Sequence, residues 1–357
     1  CITTHGNFTV GTPVSFPLYR SGYTVTLVNA SRCSVIDLHI VAASFMAVTE
    51  FVGEGANSYR RVRVGWDPSQ PYAPFLRNGT LPQPRLSSNA DVFHSYGTRK
   101  GPLLSNCTFE YASDDFFNIH NEMQIAFQSN ETATSMGNDN DYSSHILYLI
   151  DPHLPVDQVG KEIGARIPRT VYGTVSSLDY ATAGDSLSFG LSATPCQGHV
   201  GSCQWSNFSD PVLDGSFVVI RSIGRVTAPA ILAQAAHTLK HFCAGQPCEN
   251  SPSGFVYKVT LQDPVRVPVS GCLASVNEMS AAGSVIEDCI FQHNNANLGR
   301  TKSPGSVIRR NVFRNAAECN LEVVPLQQYL EGPWQIPNVT IVDNSFPDCP
   351  KARSEEH

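Results

Sequence analysis

Three aspartates in a short stretch of the chain have the residue type and spacing that acid–base chemistry requires. Asp91 is followed by the adjacent pair Asp114 and Asp115. Two carboxyl groups can break a glycosidic bond, because one protonates the leaving oxygen while the other activates water or attacks the sugar. Carboxylates held close together also raise the pKa of one member, which keeps it protonated near neutral pH. The three residues are therefore candidate catalytic groups; a bound calcium ion and a plain acidic face are the alternatives.

The spacing of the aspartates matches the length of a repeat along the chain. Ile36 and Tyr59 hold matching positions, as do Ile286 and Ile308. Both intervals fall in the range of roughly 20–25 residues that makes a β-rich repeat one coil of a solenoid. The best matching segments are 103–109, 285–291, 307–313 and 340–346, with looser matches at 35–41 and 58–64. The interval from Asp91 to Asp114 equals that from Ile36 to Tyr59, so these two aspartates are predicted to stack on adjacent coils.

The same counting assigns further polar residues to the face that carries the aspartates. Counting the same number of residues from each matching repeat position leads to Glu50, Asn118, Arg300 and Glu322. These four residues are therefore predicted to occupy equivalent positions on their coils. His120 and Lys302 lie two positions further on, and residues two apart in a strand point to the same side. The residues predicted to line the cleft and to hydrogen-bond hydroxyls or a carboxylate are His94, Asn118, His120, Arg300 and Lys302. The alternative for each cation is a solvated coil edge.

Other phases of the repeat are predicted to face the interior, because residues at one phase lie about 4.8 Å apart on successive coils. The apolar stack comprises Phe109, Phe291, Phe313 and Phe346. A second interior stack comprises Cys107, Cys289, Asn311 and Asn344. The asparagines of this second stack are expected to hydrogen-bond the backbone of turns.

The repeat is missing between residues 154 and 270. That stretch instead holds alternating segments separated by Gly, Pro and Asp, as in antiparallel strands, at 170–175, 186–191, 216–223 and 255–261. Residues 228–242 have a helical composition. The predicted fold is all-β, a right-handed parallel β-helix with an inserted antiparallel β-rich module. Its predicted parts are first coils at 1–153, the module at 154–270, further coils at 271–350 and a tail at 351–357.

The charge balance argues against a nucleic-acid partner. The chain has 24 Lys and Arg against 31 Asp and Glu, a formal net charge of −7, whereas phosphate binding needs clustered cations. No apolar run is long enough to cross a bilayer, so no membrane span is predicted. No cofactor and no metal are predicted, and no CxxC pair suggests a zinc site. The predicted partner is an oligo- or polysaccharide, and the open ends of a solenoid also suit self-association.

Sequons and cysteines indicate a secretory route. Seven Asn-X-Ser/Thr sequons occur, at Asn7, Asn29, Asn78, Asn106, Asn130, Asn207 and Asn338. The 11 cysteines are then expected to form disulfides with one thiol left over. Close spacing favours Cys196–Cys203 and Cys243–Cys248, but spacing alone leaves the connectivity open. The chain begins at Cys1 and not at Met, as expected of a processed chain or a fragment. We expect a secreted glycoprotein.

The passage around the aspartates resembles a known family, the right-handed β-helix glycoside hydrolases that remove terminal α-1,3-linked galactose. The family's motifs stand here as Asn89-Ala90-Asp91-Val92-Phe93-His94, Gly101-Pro102, Asn106-Cys107-Thr108-Phe109 and Asp114-Asp115-Phe116-Phe117-Asn118-Ile119-His120. Residues 298–313 and Glu331-Gly332-Pro333-Trp334 are similar to the family's closing coils. The resemblance covers roughly 25–350 and is best over 88–121.

The resemblance implies an inverting, metal-free hydrolase that is exo-acting on terminal α-linked galactose or a related sugar, with the three aspartates as its acidic centre. It adds Glu331 and Trp334 to the candidate substrate-binding residues. Val92 replaces a Gly of the family, and Phe116 and Phe117 replace smaller residues, so their bulk is expected to reshape the sugar pocket. The Gly-His-Gly motif of the related polygalacturonases is missing, which argues against pectin.

Two other functions fit the same features. A non-catalytic extracellular β-helix would serve in carbohydrate binding or as a structural or filament subunit, and it has no need of three acids kept together. A polysaccharide lyase would need a Lys or Arg base and usually calcium, and Lys302 or Arg300 is available for that role. Within the hydrolase hypothesis, Asp114 is the candidate general acid, and Asp91 and Asp115 position the water.

Overall fold

The computed structural model describes residues 23–65, 86–129, 143–151, 176–189, 192–193, 205–206, 217–242, 255–267, 271–318, 320–325, 331–333 and 336–347. Within these ranges the chain is all-β, with parallel sheets, one closed antiparallel barrel and one α-helix. None of the helices in these ranges has the length and hydropathy needed to cross a membrane.

The largest parallel sheet, here called the site sheet, carries most of the candidate polar residues. Its strands in spatial order are β1 (Val25–Val28), β4 (Val48–Gly55), β7 (Phe93–Lys100), β10 (Phe117–Glu122), β21 (Gly299–Thr301) and β24 (Leu321–Glu322). A short strand, β25 (Glu331–Gly332), pairs antiparallel with β10. β10 is therefore the central strand of the site, with neighbours from three other parts of the chain.

Two further parallel sheets complete the repeating part of the chain. The second sheet contains β2 (Ser34–Ile36), β5 (Ser58–Arg60), β8 (Leu103–Ser105), β19 (Val285–Glu287), β22 (Val307–Arg309) and β26 (Thr340–Val342). The third contains β3 (His39–Ile40), β6 (Arg63–Val64), β9 (Thr108–Glu110), β20 (Ile290–Asn294) and β23 (Val312–Ala316). Successive strands along the chain enter the second, third and site sheets in turn, and each such triplet is one repeat.

The corner between the second and third sheets has a recurring backbone conformation. Its residues have φ between 51° and 57°; they are Asp37, Arg61, Asn106, Asp288, Arg310 and Asp343. Asn and Asp tolerate this left-handed region better than most residues, because their short polar side chains bond locally. Salt bridges join corner residues of adjacent repeats, with Arg61 Nε 2.5 Å from Asp37 Oδ1 and Arg310 Nη2 2.7 Å from Asp288 Oδ2. The corner is thus maintained without glycine.

The predicted phenylalanine stack lies in the apolar core of the repeats. Phe109 pairs with Phe291, and Phe291 with Phe313, at centroid distances of 5.6 and 4.9 Å. All three are buried, as predicted. Phe346 stacks on Phe313 at 5.1 Å but is 40% exposed, so the prediction that it is buried is wrong. It belongs to the last described repeat and is covered from one side only.

Three members of the second stack, Cys107, Cys289 and Asn311, are buried as predicted, whereas Asn344 in the last described repeat is half-buried. Hydrogen bonds give this stack a structural role. The backbone N–H of Cys289 donates to Asn311 Oδ1 (2.9 Å), and the N–H of Asn311 donates to Asn344 Oδ1 (3.0 Å). Asn311 Nδ2 donates to the carbonyl of Ile286 (2.9 Å). Each asparagine therefore satisfies buried backbone groups of the preceding repeat, which would otherwise be left unpaired at a cost of about 1–3 kcal/mol each.

The antiparallel part of the chain is a closed six-stranded barrel. Its strands in spatial order are β11 (Gln124–Phe127), β12 (Ser143–Asp151), β17 (Phe255–Arg266), β16 (Phe217–Arg225), β13 (Ser186–Phe189) and β18 (Cys272–Val276). A separate two-stranded pair is formed by β14 (Ser192–Ala193) and β15 (Trp205–Ser206), and helix α1 spans Pro229–Phe242. Two 3-10 turns span Ser177–Tyr180 and Asn277–Met279. The antiparallel pairing begins before residue 154 and ends after residue 270, so it extends beyond both expected boundaries of the module.

The barrel is attached directly to the site sheet. The chain runs from β10 through Met123 into β11, and β8 pairs in register with β19, so the parallel repeats resume beside the point where they stop. Asn121, at the end of β10, donates from Nδ2 to Ser275 Oγ (2.9 Å) on β18. On β7, Arg99 donates to both carboxylate oxygens of Asp185, at 2.9 and 2.6 Å. The strands that carry the candidate site are thus fixed by both parts of the chain.

Candidate active site

Strand register places a column of polar residues on the site sheet. Asn118 pairs with His94 on one side and with Arg300 on the other, and Arg300 pairs with Glu322. This is the order that the repeat predicts for Asn118, Arg300 and Glu322. Thr49 pairs with His94 and is the member of the column contributed by β4.

Glu50, selected by the same counting, does not belong to this column. It pairs with Ser95, one residue away from the column, and is buried. Its carboxylate accepts hydrogen bonds from Ser95 Oγ (2.6 Å) and Tyr59 Oη (2.8 Å). The count fails because Tyr59 pairs with Val35 and not with Ile36, so the first repeat is one residue longer than its sequence pattern suggests.

The three aspartates converge, although not in the predicted pairing. One carboxylate oxygen from each of Asp91, Asp114 and Asp115 lies within 4.8 Å of the others. The prediction that Asp91 stacks beside Asp114 is wrong. Ser88, which precedes Asp91, pairs with Ala112, and Phe93, which follows it, pairs with Phe117. The same register places Asp91 beside Asp115. Asp114, one residue earlier, is partly exposed, whereas the other two are buried.

Asp115 lies in an environment that favours its neutral form. Its side chain is fully buried, and neither carboxylate oxygen has a hydrogen-bond partner among the described residues. Burial raises the pKa of Asp115, and the charge of Asp91 raises it further; Arg300 offsets only part of this, and the pKa reaches about 8. Nη1 of Arg300 lies 3.2 Å from Asp115 Oδ2 without hydrogen-bond geometry. At neutral pH this side chain therefore carries a proton.

Asp91 begins a chain of hydrogen bonds that passes through two imidazoles. Asp91 Oδ2 lies 2.7 Å from His94 Nδ1, and His94 Nε2 lies 3.1 Å from His120 Nε2. His120 Nδ1 donates to the carbonyl of Asn121 (2.8 Å). Burial lowers the pKa of His120 to about 3, because the nearby carboxylate of Glu331 only partly offsets the loss of solvent. His120 is consequently neutral at physiological pH.

Lys302 and Glu331 form a buried ion pair next to the imidazoles. Lys302 Nζ donates to Glu331 and to Asn118 Oδ1 (3.1 Å), and Asn118 Nδ2 donates to Glu331 Oε1 (3.0 Å). Burial alone would raise the pKa of Glu331, but the charge that His120 carries at low pH and the charge of Lys302 outweigh it and hold that pKa at about 2. Lys302 is fully buried, so in this state its ammonium group binds Glu331 instead of facing an open cleft.

Arg300 is the cation nearest the aspartates and remains partly accessible. Its Nε donates to Glu322 Oε2 (2.7 Å), while Nη1 faces Asp115. With the Asn297 amide turned so that its oxygen faces the guanidinium, Asn297 accepts from Arg300 Nη2 (2.7 Å). The guanidinium is therefore held from three sides. It is a fixed positive charge at the edge of the acidic centre.

The bulky residues that depart from the family's motif lie in the core, not in the acidic centre. Val92, Phe116 and Phe117 are fully buried in the apolar cluster of the repeats. Phe117 packs directly over Gly299, where a Cβ atom would lie 2.5 Å from its ring. The absence of a side chain at residue 299 thus provides the volume that this phenylalanine needs.

As a site for a cation, the acidic cluster offers a limited set of donor atoms. Ca²⁺ takes six to eight oxygen ligands, and these aspartates supply at most six carboxylate oxygens. Two of the three already face nitrogen groups, Asp91 the imidazole of His94 and Asp115 the guanidinium of Arg300. A metal ion placed between them would be repelled by Arg300. The donor set therefore fits protons better than a metal.

Sequence reasoning missed an aromatic group beside the acidic centre. Phe51 and Tyr96 pack at a centroid distance of 4.6 Å, and Tyr96 stacks on His120 at 5.8 Å and 13°. Tyr23 packs on Phe51 at 5.3 Å. The sequence contains a signal for this group, because Tyr96 follows His94 by two positions in a strand. The two side chains must therefore point to the same side of the sheet. These rings shield the imidazoles from water on the side of the first repeats.

Several predicted residues lie outside the described residues, namely Trp334, Asn7, Asn78, Asn130, Asn207, Cys196, Cys203, Cys243 and Cys248. The remaining sequon asparagines, Asn29, Asn106 and Asn338, are exposed and have φ of 48°, 55° and 61°. Within the described ranges, four cysteines are free thiols; they are Cys33, Cys107, Cys272 and Cys289. The expectation that a single thiol is left over is therefore wrong.

Comparison with known proteins gives no family assignment. No protein-family model matches the chain. No curated protein matches its sequence.

Proposed function

We propose that the chain is a glycoside hydrolase, exo-acting on a terminal α-linked galactose or a related sugar, with Asp91, Asp114 and Asp115 as its catalytic acids. The observation that carries the proposal is the convergence of three carboxyl groups in different environments. One is buried and protonated at neutral pH, one is paired with an imidazole and one is partly exposed. Titratable groups with divergent protonation states are what acid and base roles require.

The proposed roles follow from accessibility. Asp114 is the partly exposed member and contacts the glycosidic oxygen as general acid. Asp115 holds a proton beside it, and Asp91 binds the attacking water. An inverting pair needs carboxyl groups about 6.5–9.5 Å apart, whereas retaining pairs are about 5–5.5 Å apart. The nearest oxygens here lie within 4.8 Å, so inversion, which the family resemblance implies, requires the Asp114 carboxyl to turn outward.

The proposal includes a right-handed parallel β-helix for the repeating part. Its support is the entry of successive strands into three parallel sheets in turn, together with the near-universal right hand of parallel crossovers. In such a solenoid the outer face of one sheet is a long groove suited to a polysaccharide. The column of polar residues from Thr49 to Glu322 runs along such a face.

The catalytic proposal is tested by sugar release from a panel of galactosides and uronans, with and without a chelator. Asp→Asn at 91, 114 or 115 is expected to reduce hydrolysis by about 10²–10⁴-fold each, the usual contribution of general acid–base catalysis. Asp37→Asn, in an exposed corner, is the matched control and should keep full activity. Chelator-sensitive release of unsaturated sugars would indicate a lyase instead. Binding without any hydrolysis would favour the non-catalytic carbohydrate-binding or structural alternative.

Secretion and glycosylation are part of the same proposal. Their support is the number of sequons and the exposure of Asn29, Asn106 and Asn338. Expressed in a eukaryotic host, the chain is expected to carry glycans at Asn78, Asn130 and Asn207, whose sequences are typical of loops. Peptide mass spectrometry measures this directly, and three unmodified sites would contradict a secretory route.

A further inference from the structure

We propose that Asp91 and His94 form a carboxylate–imidazolium pair and that His120 is the positioning residue that fixes the second proton on His94. The evidence is the direction of three hydrogen bonds in one buried chain. Only the catalytic consequence rests on the proposed function. The proton arrangement itself is a property of the free protein.

The first hydrogen bond sets the proton on His120. Its Nδ1 lies 2.8 Å from the carbonyl oxygen of Asn121, and a carbonyl can only accept, so Nδ1 carries the hydrogen. Burial holds the pKa of His120 at about 3, so this ring has no second proton at neutral pH. Its Nε2 therefore presents a lone pair.

The second and third hydrogen bonds set the protons on His94. The two Nε2 atoms lie 3.1 Å apart, and His120 can only accept there, so His94 Nε2 is the donor. His94 Nδ1 lies 2.7 Å from Asp91 Oδ2, a contact that also needs one hydrogen. Imidazole is a stronger base than a carboxylate. The hydrogen thus resides on the ring, and His94 is an imidazolium.

The groups around His94 are compatible with a positive ring. Those that titrate or carry charge are Asp91 near its own strand β7, His120 on β10, Lys302 next to β21, Glu331 on β25 and, beyond Asp91, the protonated Asp115. Lys302 and Glu331 neutralise each other as an ion pair. Phe51 and Tyr96 contact the ring at 6.4 and 6.0 Å and exclude water. Asp91 is then the anion that balances the imidazolium.

This arrangement separates the two roles that hydrolysis needs. Asp91 is the partner of the imidazolium, and Asp115 beside it carries a proton. When the water oxygen attacks the anomeric carbon, one water proton passes to Asp91, and the glycosidic oxygen leaves with the proton of Asp114, the general acid proposed above.

Nitrogen-15 NMR of histidine-labelled full-length protein at pH 7 tests the inference without any substrate. The His94 signals, identified by their loss in His94→Gln, are expected to show both ring nitrogens protonated. His120→Phe keeps a ring stacked on Tyr96 but removes the acceptor, and it is expected to leave less than half of His94 doubly protonated. His120→Gln, whose carbonyl oxygen can accept, is expected to restore the doubly protonated form.

Two results would overturn the inference: an unprotonated His94 nitrogen in the wild-type protein at pH 7, or a doubly protonated His94 that persists in folded His120→Phe. Circular dichroism establishes whether the variant folds, and if it does not, the wild-type and His120→Gln spectra still decide. A doubly protonated His94 in a protein that cleaves no sugar would refute the proposed function and leave the pair intact.

Discussion

At the scale of single residues, the site depends on how one carboxyl group is separated from water. The sequence is sufficient to predict that Asp91 and the Asp114–Asp115 pair lie together, because about one repeat separates them. It does not show which member of the pair is buried, since the strand register is one position longer than the interval that the repeat suggests. A shift of one position exchanges the inward and outward sides of a strand, and this is why Asp115 is the protonated member.

The pH dependence of stability should report the protonated Asp115. Folded, it holds its proton up to about pH 8; unfolded, it loses the proton at about pH 4. Its stabilising contribution is thus complete below about pH 4 and is lost as the pH rises through about 8. In urea unfolding at pH 5, 6, 7 and 8, Asp115→Asn is expected to become progressively more stable relative to the wild type.

The matched control for this measurement is Asp37→Asn. Asp37 is exposed, and its hydrogen bonds with Arg61 lower its pKa, so it is ionised in both folded and unfolded chains across pH 5–8. The difference in unfolding free energy between this variant and the wild type should be independent of pH in that range. An equally flat result for Asp115→Asn would mean that Asp115 is ionised in the folded protein.

At the scale of elements, the second interior stack shows how hydrogen bonds join successive repeats at a position where the side chains do not form an apolar layer. Repeat matching alone predicts that Cys107, Cys289, Asn311 and Asn344 share a phase. The hydrogen bonds explain the residue type, because Asn311 offers an acceptor to the N–H of Cys289 and a donor to the carbonyl of Ile286. An aspartate lacks the donor, and an apolar residue lacks both groups.

Asn311→Ala is expected to destabilise the protein by about 2–4 kcal/mol. The change leaves one buried N–H and one buried carbonyl without partners, each costing about 1–3 kcal/mol. The measurement is the free energy of unfolding in urea. Arg310→Ala, the preceding residue on the exposed corner, removes only surface ion pairs with Asp288 and Glu287 and should leave the unfolding midpoint nearly unchanged. Equal effects of the two variants would argue against the stack as a source of stability.

The same scale shows why the barrel was only partly predictable. Strand β13 falls within a segment whose alternation predicts antiparallel pairing, and β16 and β17 begin in such segments and extend beyond them. β11 and β12 lie before residue 154, in sequence that is compatible with the repeat. Alternation of apolar and polar residues identifies a strand but not its partner, so a barrel strand and a solenoid strand are alike in sequence. The antiparallel pairing of β11 with β12 and β18 is what identifies β11 as a barrel strand.

At the scale of the whole molecule, the barrel and the parallel repeats are linked by the chain and by a polar contact. β10 carries Asn118 and His120 and passes almost directly into barrel strand β11. On the neighbouring strand, Arg99 holds the barrel through Asp185 and the carbonyl of Tyr180 (2.6 Å). The two strands that position the imidazoles are thus attached directly to the barrel.

Arg99→Met should reveal whether the two parts unfold as one. Arg99 and Asp185 are mostly buried, and removing the guanidinium leaves the carboxylate without its cation. Breaking a fully buried pair costs about 3–5 kcal/mol, and we expect about 2–3 kcal/mol here because Arg99 retains some exposure. Hydrogen exchange followed by mass spectrometry should show faster exchange in residues 176–189 than in β8 and β19. The double variant Arg99→Met with Asp185→Asn removes the unpaired charge and should regain part of the loss. If exchange instead rises uniformly over barrel and repeats, the two form one cooperative unit, and the contact at Arg99 contributes no separate attachment.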